Sequence, residues 1–340
     1  MKYYEVDGIL AKKDLHGNTP EILISTGNRS AGKTVAWNHF VMEEFLNKGH
    51  KFILLVRYVY ELDNIGTRFF ADLHNIYYPD ILVTSKHMVA NTFAQITMER
   101  NEEKQVIGYC IPLNKAETIK KYSHVFNDVE NILFDEFQNE SSQYLTDEVN
   151  KFISIHHSVA RGKGKQSRFV RTILVGNRLD LLCPYLIELG ISQRLKKDTK
   201  YLRGNGFIYE QLLNIEAQNA QKDSIFNQAF NNDYMERTLQ SQYLDENCYC
   251  KLKGANNYFC SLKHKNKKYS IRYVKEGVHV AVNCDESYPY KFACTPKDIG
   301  EEYIYIGNSE LKANLKTNFN YGLFTFENAE AKEALLNFLK

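Results

Sequence analysis

Up to about Arg203 the apolar residues come in short runs, each closed by a polar or glycine-bearing segment. The runs "EILISTG", "KFILLVR", "QVIGYCIPL", "NILFDEF" and "RTILVGN" are short and turn-bounded, which predicts buried strands. Between them, "TVAWNHFVMEEFLNKGH" places its apolar residues at helical spacing and stops at a glycine, and "EVNKFISIHHSV" repeats that spacing. Apolar strands alternating with helices predict a parallel sheet covered on both faces.

From about Gly206 the pattern changes. "YEQLLNIEAQNAQKDSIFNQAFNNDYMERTLQSQ" is polar, poor in β-branched residues and compatible with a helical connector. Beyond it come tyrosine-rich short segments read as strands, "NYFCSLK", "KYSIRYV", "VHVAVN", "EYIYIG" and "GLFTFE", and a final amphipathic helix, "NAEAKEALLNFLK". The expected organisation is an α/β domain over 1–206, a helical linker over 207–241 and a small α+β domain over 242–340.

Composition adds bounds rather than detail. A chain of 340 residues has room for two domains. A net charge of +2 means that any basic surface must come from local clustering. No apolar run reaches the length of a membrane span. "MKYYEVDGILAKKD" lacks a leader pattern, so the seven irregularly spaced cysteines are expected as reduced thiols of an intracellular protein.

The first chemical signal is "GNRSAGKT". Gly27, Asn28, Arg29, Ser30, Ala31, Gly32, Lys33 and Thr34 fit the phosphate-loop pattern between a strand and a helix. Loop amides surround a phosphate there, Lys33 bridges the β- and γ-phosphates of ATP, and the Thr34 hydroxyl ligands Mg²⁺. The second signal is Asp135-Glu136 at the end of "NILFDEF". Asp135 can hold the metal through water, and Glu136 can orient and deprotonate an attacking water. An acid in that second position favours hydrolysis over transfer to a substrate hydroxyl. The long interval between Lys33 and Asp135 leaves room for an intervening strand, the layout of ASCE-type P-loop motors.

Two further features leave alternatives open. Asn177, after "RTILVG", is either a sensor of the γ-phosphate or a plain strand-end residue. The acid-free series Arg161, Lys163, Lys165, Arg168, Arg171 and Arg178 offers an arginine finger acting in a neighbouring subunit, a nucleic-acid contact, or only a solvated loop. Arg161, first after the helix and beside a glycine, is the preferred finger; Arg168 is the next candidate.

Together these residues resemble the terminase-type ATPases of tailed phages. Arg29 stands at the third position of the loop as it often does there, "FILLVRY" is similar to their second strand with Arg57 at its end, and "NILFDEF", the basic loop and "LVGN" follow in the same order. Size and layout look most like the packaging ATPases of phi29-like phages. That resemblance implies a motor driving double-stranded DNA into a preformed capsid. It would act as a ring, a pentamer in that group, docked on the portal protein with a structural RNA between, in the host cytoplasm. The rivals are another P-loop motor, such as a conjugation-type translocase or a filamentous-phage assembly ATPase, and a nucleotide kinase or switch.

In larger terminases the C-terminal domain is a nuclease of RNase H type. Here Asp285, Glu286, Asp298, Glu301 and Glu302 do not sit at strand centres in the way two-metal cleavage needs, so the domain is read as related to that fold without nuclease activity. Its own signal is the acid-free stretch from Lys251 to Lys275. Lys263, Lys265, Lys267 and Lys268 form its hairpin tip, a candidate nucleic-acid contact or a soluble hairpin guarding a sheet edge. Cys248, Cys250, Cys260 and His264 invite a zinc site, but their C-x-C spacing is not the usual gap and no second close pair exists, so core thiols are the preferred reading. His156 and His157 face different sides of one helix.

Overall fold

The computed structural model describes residues 4–27, 31–139, 143–162, 164, 166–177, 180–196, 198–212 and 248–340. Asn28, Arg29, Ser30, Lys163, Lys165, Arg178 and the expected linker beyond Leu212 lie outside them. The chain divides into two compact units, Met1–Leu179 with Lys200–Ser224, and Asp180–Thr199 with Ile225–Lys340. The stretch 180–199, read from sequence as part of the first domain, therefore belongs to the second unit.

The first unit is built on nine strands. In chain order these are β1 (Ile22–Gly27), β2 (Lys51–Val56), β3 (Leu82–Met88), β4 (Phe93–Arg100), β5 (Glu103–Pro112), β6 (Val129–Asp135), β7 (Arg171–Gly176), β8 (Tyr201–Arg203) and β9 (Phe207–Leu212). They line up as β3-β4-β5-β2-β6-β7-β1-β9-β8. The run β5-β2-β6-β7-β1-β9 is parallel, as the apolar patterning predicts. Both edges depart from that expectation, because β3, β4 and β8 pair antiparallel. A second correction falls on the connector: its first six residues, Phe207–Leu212, are β9, paired with β1 throughout. The polar Glu210 and Gln211 are buried in that strand.

Helices of this unit are α1 (Asp7–Leu10), α2 (Lys33–Lys48), α3 (Ile65–Ile76), α4 (Ala116–Ile119) and α5 (Glu148–Val159). Helix α2 ends at Gly49, whose φ of 70° gives the left-handed cap that the sequence foretold. Trp37, Val41, Met42 and Phe45 of α2 and Phe69, Phe70 and Leu73 of α3 share one core with Leu23, Phe52, Leu54, Leu133, Ile173, Val175 and Ile208 of the central strands. Each such side chain, fully buried, contributes roughly 1.5–3 kcal/mol. Parallel strands align their carboxyl ends, so the residues after β1, β6 and β7 meet at one edge.

The second unit carries α6 (Pro184–Glu188) and a five-stranded sheet. Its strands β10 (Asn256–His264), β11 (Lys267–Val274), β12 (Gly277–Ala281), β13 (Lys291–Ala293) and β14 (Phe324–Phe326) are ordered β13-β10-β11-β12-β14. The first three form an antiparallel meander, and β13 and β14 add in parallel at the edges. The expected strand at "EYIYIG" reduces to one isolated bridge, Phe292 to Ile304. Ile304 and Tyr305 are exposed there, so the segment has no continuous buried face. Two helices close the unit, α7 (Glu310–Asn320), unforeseen in a polar sequence, and α8 (Ala329–Leu339). Each has a side-chain cap, Ser309 accepting from the Lys312 N–H at 3.3 Å and Asn328 from the Ala331 N–H at 2.9 Å.

Candidate functional site

The phosphate loop leaves β1 at Gly27 and enters α2 at Gly32. A Cβ at Gly27 would lie 2.5 Å from the Leu212 carbonyl oxygen of β9, so only glycine fits. Gly32 caps α2 at φ 79°, a left-handed conformation that also favours glycine. The N-terminal segment braces the loop. The Tyr4 N–H donates to the Ala31 carbonyl at 3.3 Å, and the Tyr4 hydroxyl donates to Glu210 at 2.7 Å and accepts from Ser25 at 3.0 Å. Burial, with Glu210 beside it, raises the Tyr4 pKa.

Lys33 is the first residue of α2 and is buried at 2% exposure. Burial pulls its ammonium down to about 8, while Asp135 opposes the shift. Asp135 ends β6, is half-buried, and is pushed up to about 6 chiefly by burial. The Thr34 hydroxyl and the Glu136 N–H, the latter at 2.9 Å, both donate to Asp135 and counter that rise. The two motifs, far apart in sequence, thus converge on one carboxylate. Glu136 follows, exposed, with φ 54°. That conformation costs a non-glycine residue roughly 1–2 kcal/mol and turns the chain sharply at the acid pair.

Arg57 holds this turn. It follows β2 and is 8% exposed. Its Nη1 donates to the Glu136 carbonyl at 2.8 Å, its Nη2 to the Phe137 carbonyl, and its Nε to Glu148 at 3.1 and 3.2 Å. Glu148, 2% exposed at the start of α5, also accepts the Leu145 N–H at 2.8 Å. Arg57 further lies over the rings of Phe134 and Tyr144, at 5.2 and 5.4 Å. The sequence marked Arg57 only as a strand-end arginine; its partner Glu148 carried no signal at all.

Asn177 is half-buried one residue past β7, and its side chain has no hydrogen bond among the described residues. Arg161 is exposed past α5 and likewise has no hydrogen-bond or ion-pair partner among the described residues. Arg168 is committed inside the unit. Its Nη2 donates to the carbonyls of Val159 at 3.0 Å and Phe126 at 3.2 Å, and its Nη1 lies 3.2 Å from Glu130. That removes Arg168 as a finger candidate, because its guanidinium caps the end of α5. Arg171 is similarly taken up by Asn131 at 3.3 Å and the ring of Phe40 at 5.2 Å. His156 lies 3.3 Å from Glu21, and His157 is exposed.

In the second unit, Lys265-Asn266 forms the β10–β11 turn, with φ 48° and 61°. The hairpin is where the sequence put it, but its charge is not. Lys265 pairs with Glu333 at 2.6 Å, Lys267 with Glu330 at 2.7 Å and Lys268 with Glu286 at 2.5 Å. Of the four, Lys263 alone has no carboxylate partner among the described residues; its Nζ lies 5.9 Å from the Tyr303 ring centroid. The acid-free stretch of sequence is thus not an acid-free surface. Asp298 is buried and accepts from Thr295 Oγ1 at 2.6 Å and the Lys265 N–H at 2.8 Å, with His264 at 3.3 Å. Asp285 accepts from the Ser287 hydroxyl and N–H, and Glu302 pairs with Lys291 at 2.7 Å. Cys260 is buried in β10, and Cys248 and Cys250 are free thiols. No helix of the described residues is long and apolar enough to cross a membrane.

Over residues 3–340 the chain matches the family described as Podovirus DNA encapsidation protein (Gp16). DNA packaging proteins of Bacillus phage PZA and Bacillus phage phi29 are each 22% identical over 306 residues, 87% of this chain and 81% of the relative. Among solved structures, a chain of the bacteriophage phi29 viral genome packaging motor assembly has the same fold, with a TM-score of 0.56 at 17% identity over 99% of both chains.

Proposed function

Since the chain belongs to the podovirus DNA encapsidation family, we propose that it is the ATP-hydrolysing motor that drives double-stranded viral DNA into a preformed procapsid. The observation that carries the ATPase reading is the hydrogen bond from Thr34 to Asp135. It joins phosphate loop and acid pair into the arrangement that an ATP·Mg²⁺ complex requires.

The residues fit both groups. Gly27, Asn28, Arg29, Ser30, Ala31, Gly32, Lys33 and Thr34 would wrap the phosphates, and Thr34 with Asp135 would hold Mg²⁺. When bound, Mg²⁺ neutralises charge on the phosphate oxygens. Lys33, at a helix N-terminus with Asp135 opposing the lowering of its pKa by burial, binds the β- and γ-phosphates. Glu136 orients a water and accepts its proton as the oxygen attacks the γ-phosphorus. ADP leaves with the electrons of the broken P–O bond, so ATP and water give ADP and phosphate. Arg161, exposed and unpaired, suits a site completed by the next copy in a ring at the portal. Asn177 would register loss of the γ-phosphate. Contact of the second unit with a packaging RNA rests on Lys263, Lys265, Lys267 and Lys268, three of which are already paired with acids. The motor works in the host cytoplasm, docked on the procapsid.

The test is ATP turnover and nucleotide affinity, with and without duplex DNA, for the natural chain and Glu136→Gln. The variant is expected to bind ATP normally and to lose on the order of 10²–10⁴ in turnover. Lost binding with unchanged chemistry would refute the role of Glu136. A natural chain that turns over no ATP with DNA present would refute the motor.

A further inference from the structure

Gln138 is an anomaly in the first unit. It lies two residues past Glu136, is 5% exposed, and both ends of its carboxamide are without a hydrogen-bond partner among the described residues. A buried polar side chain left wholly unpaired calls for a specific reason. Its position supplies one. A Cβ built on Gly176 would stand 2.9 Å from Gln138 Oε1 and 3.0 Å from Phe137 Cε1. The carboxamide therefore rests against the last residue of β7, in space that exists because residue 176 is glycine. Strand β7 lies between β6 and β1, with Val175 beside Asp135 and Gly176 beside Thr26, one residue before the phosphate loop. Gln138 thus rests against the end of β7, the strand between the two that lead to the acid pair and to the phosphate loop. The backbone supports that placement, because the Phe137 N–H donates to the Val175 carbonyl at 3.2 Å.

We propose that Gln138 is a positioning residue of the ATPase, whose carboxamide gains its missing partners only when the reacting γ-phosphate and its water are in place, and so ties the acid-pair turn to the end of β7. The inference rests on the ATPase reading above. A carboxamide suits the task because it donates and accepts at once: Nε2 can donate to a phosphate oxygen while Oε1 accepts from the water or from Asn177. An amide unpaired in the empty site and paired in the reacting one stabilises the later state selectively, which raises turnover rather than ground-state affinity.

The experiment compares the full-length natural chain with Gln138→Leu, Gln138→Glu and Gly176→Ala. Four readouts are taken: melting temperature, ATP turnover, ADP affinity, and affinity for ADP with aluminium fluoride, which mimics the reacting phosphoryl group. Leucine fills the space without unpaired polar atoms, so melting temperature is expected to stay level or rise. ADP affinity should stay within about twofold, while the preference for ADP–aluminium fluoride over ADP falls about tenfold or more and turnover falls with it. Gln138→Glu removes the donor and sets a carboxylate against the phosphate, so it should lose preference and turnover at least as far as Gln138→Leu. Gly176→Ala crowds the amide out of place and should resemble Gln138→Leu, and the double variant should be no worse than either, because both remove one contact. The proposal is overturned if Gln138→Leu keeps the full preference and turnover. It is equally overturned if ADP affinity, preference and melting temperature fall together, which marks a purely structural side chain. Failure of the natural chain to turn over ATP would instead sink the ATPase reading itself, a result that the control distinguishes at once.

Discussion

Removing the Arg57–Glu148 pair tests whether the acid pair is held in shape or merely adjacent. Both side chains are almost fully buried, and Arg57 donates to Glu148 and to two carbonyls of the turn. Arg57→Met leaves a buried carboxylate without its cation, which costs about 3–5 kcal/mol of stability. In the double variant Arg57→Met/Glu148→Met no buried charge is left unpaired. Such replacements are often neutral or better for folding, so stability should return to within about 2 kcal/mol of the natural chain. The carbonyls of Glu136 and Phe137 still lose their charged donor. Hydrogen bonds of that kind contribute about 1.5–3 kcal/mol each, against a left-handed Glu136 that costs about 1–2 kcal/mol to hold. The turn then relaxes, and the double variant is expected to fold normally yet turn over ATP about tenfold to a hundredfold more slowly. Trp37, the single tryptophan, is fully buried in the core and reports urea unfolding by fluorescence. Turnover and nucleotide affinity are measured on the same preparations. Normal turnover in the folded double variant would refute the idea that Arg57 sets Glu136. A double variant as unstable as Arg57→Met would refute the charge argument.

Two other expectations concern surfaces. Arg161→Ala should retain ATP binding and lose most hydrolysis, and mixing it with Glu136→Gln should restore some turnover, because each subunit supplies what its neighbour lacks; a mixture as inactive as its components assigns Arg161 to its own subunit. Replacing Lys263, Lys265, Lys267 and Lys268 with alanine in the full chain should flatten the salt slope of duplex binding by about one contact, roughly 0.9, since three of the four already face glutamates; a change of three or more contacts would show those pairs yielding to phosphates.

What was legible in the sequence was local. The phosphate loop reads from eight neighbouring residues, and the acid pair from one strand and its end. The loop's requirements are met by backbone geometry, as at Gly32. The central strands were equally plain, because a parallel strand buried on both faces must be apolar at nearly every position. The edges were not. Strand β3 is largely uncovered, and its middle, Thr84 to His87, is polar throughout, so no continuous apolar run announces it. Strand β9 hid for the opposite reason. Its Glu210 is buried beside hydroxyls that sequence neighbours do not supply, chiefly that of Tyr4 from near the start of the chain.

Charge misled where motif did not, because it is not local. A phosphate loop is one feature along the chain and in space, but a charged surface is summed over whatever the fold brings near. The hairpin lysines have no acid beside them in sequence, yet Glu330 and Glu333 reach them from α8 and Glu286 from the loop after β12. Conversely, Arg161 and Arg168 stand in one basic loop and look interchangeable. Folding gives Arg168 two carbonyls and Glu130, and leaves Arg161 exposed. A cation can serve a second subunit only if its own fold has not already used it. That condition, not the number of arginines in the loop, separates the two and makes Arg161 the one to mutate first.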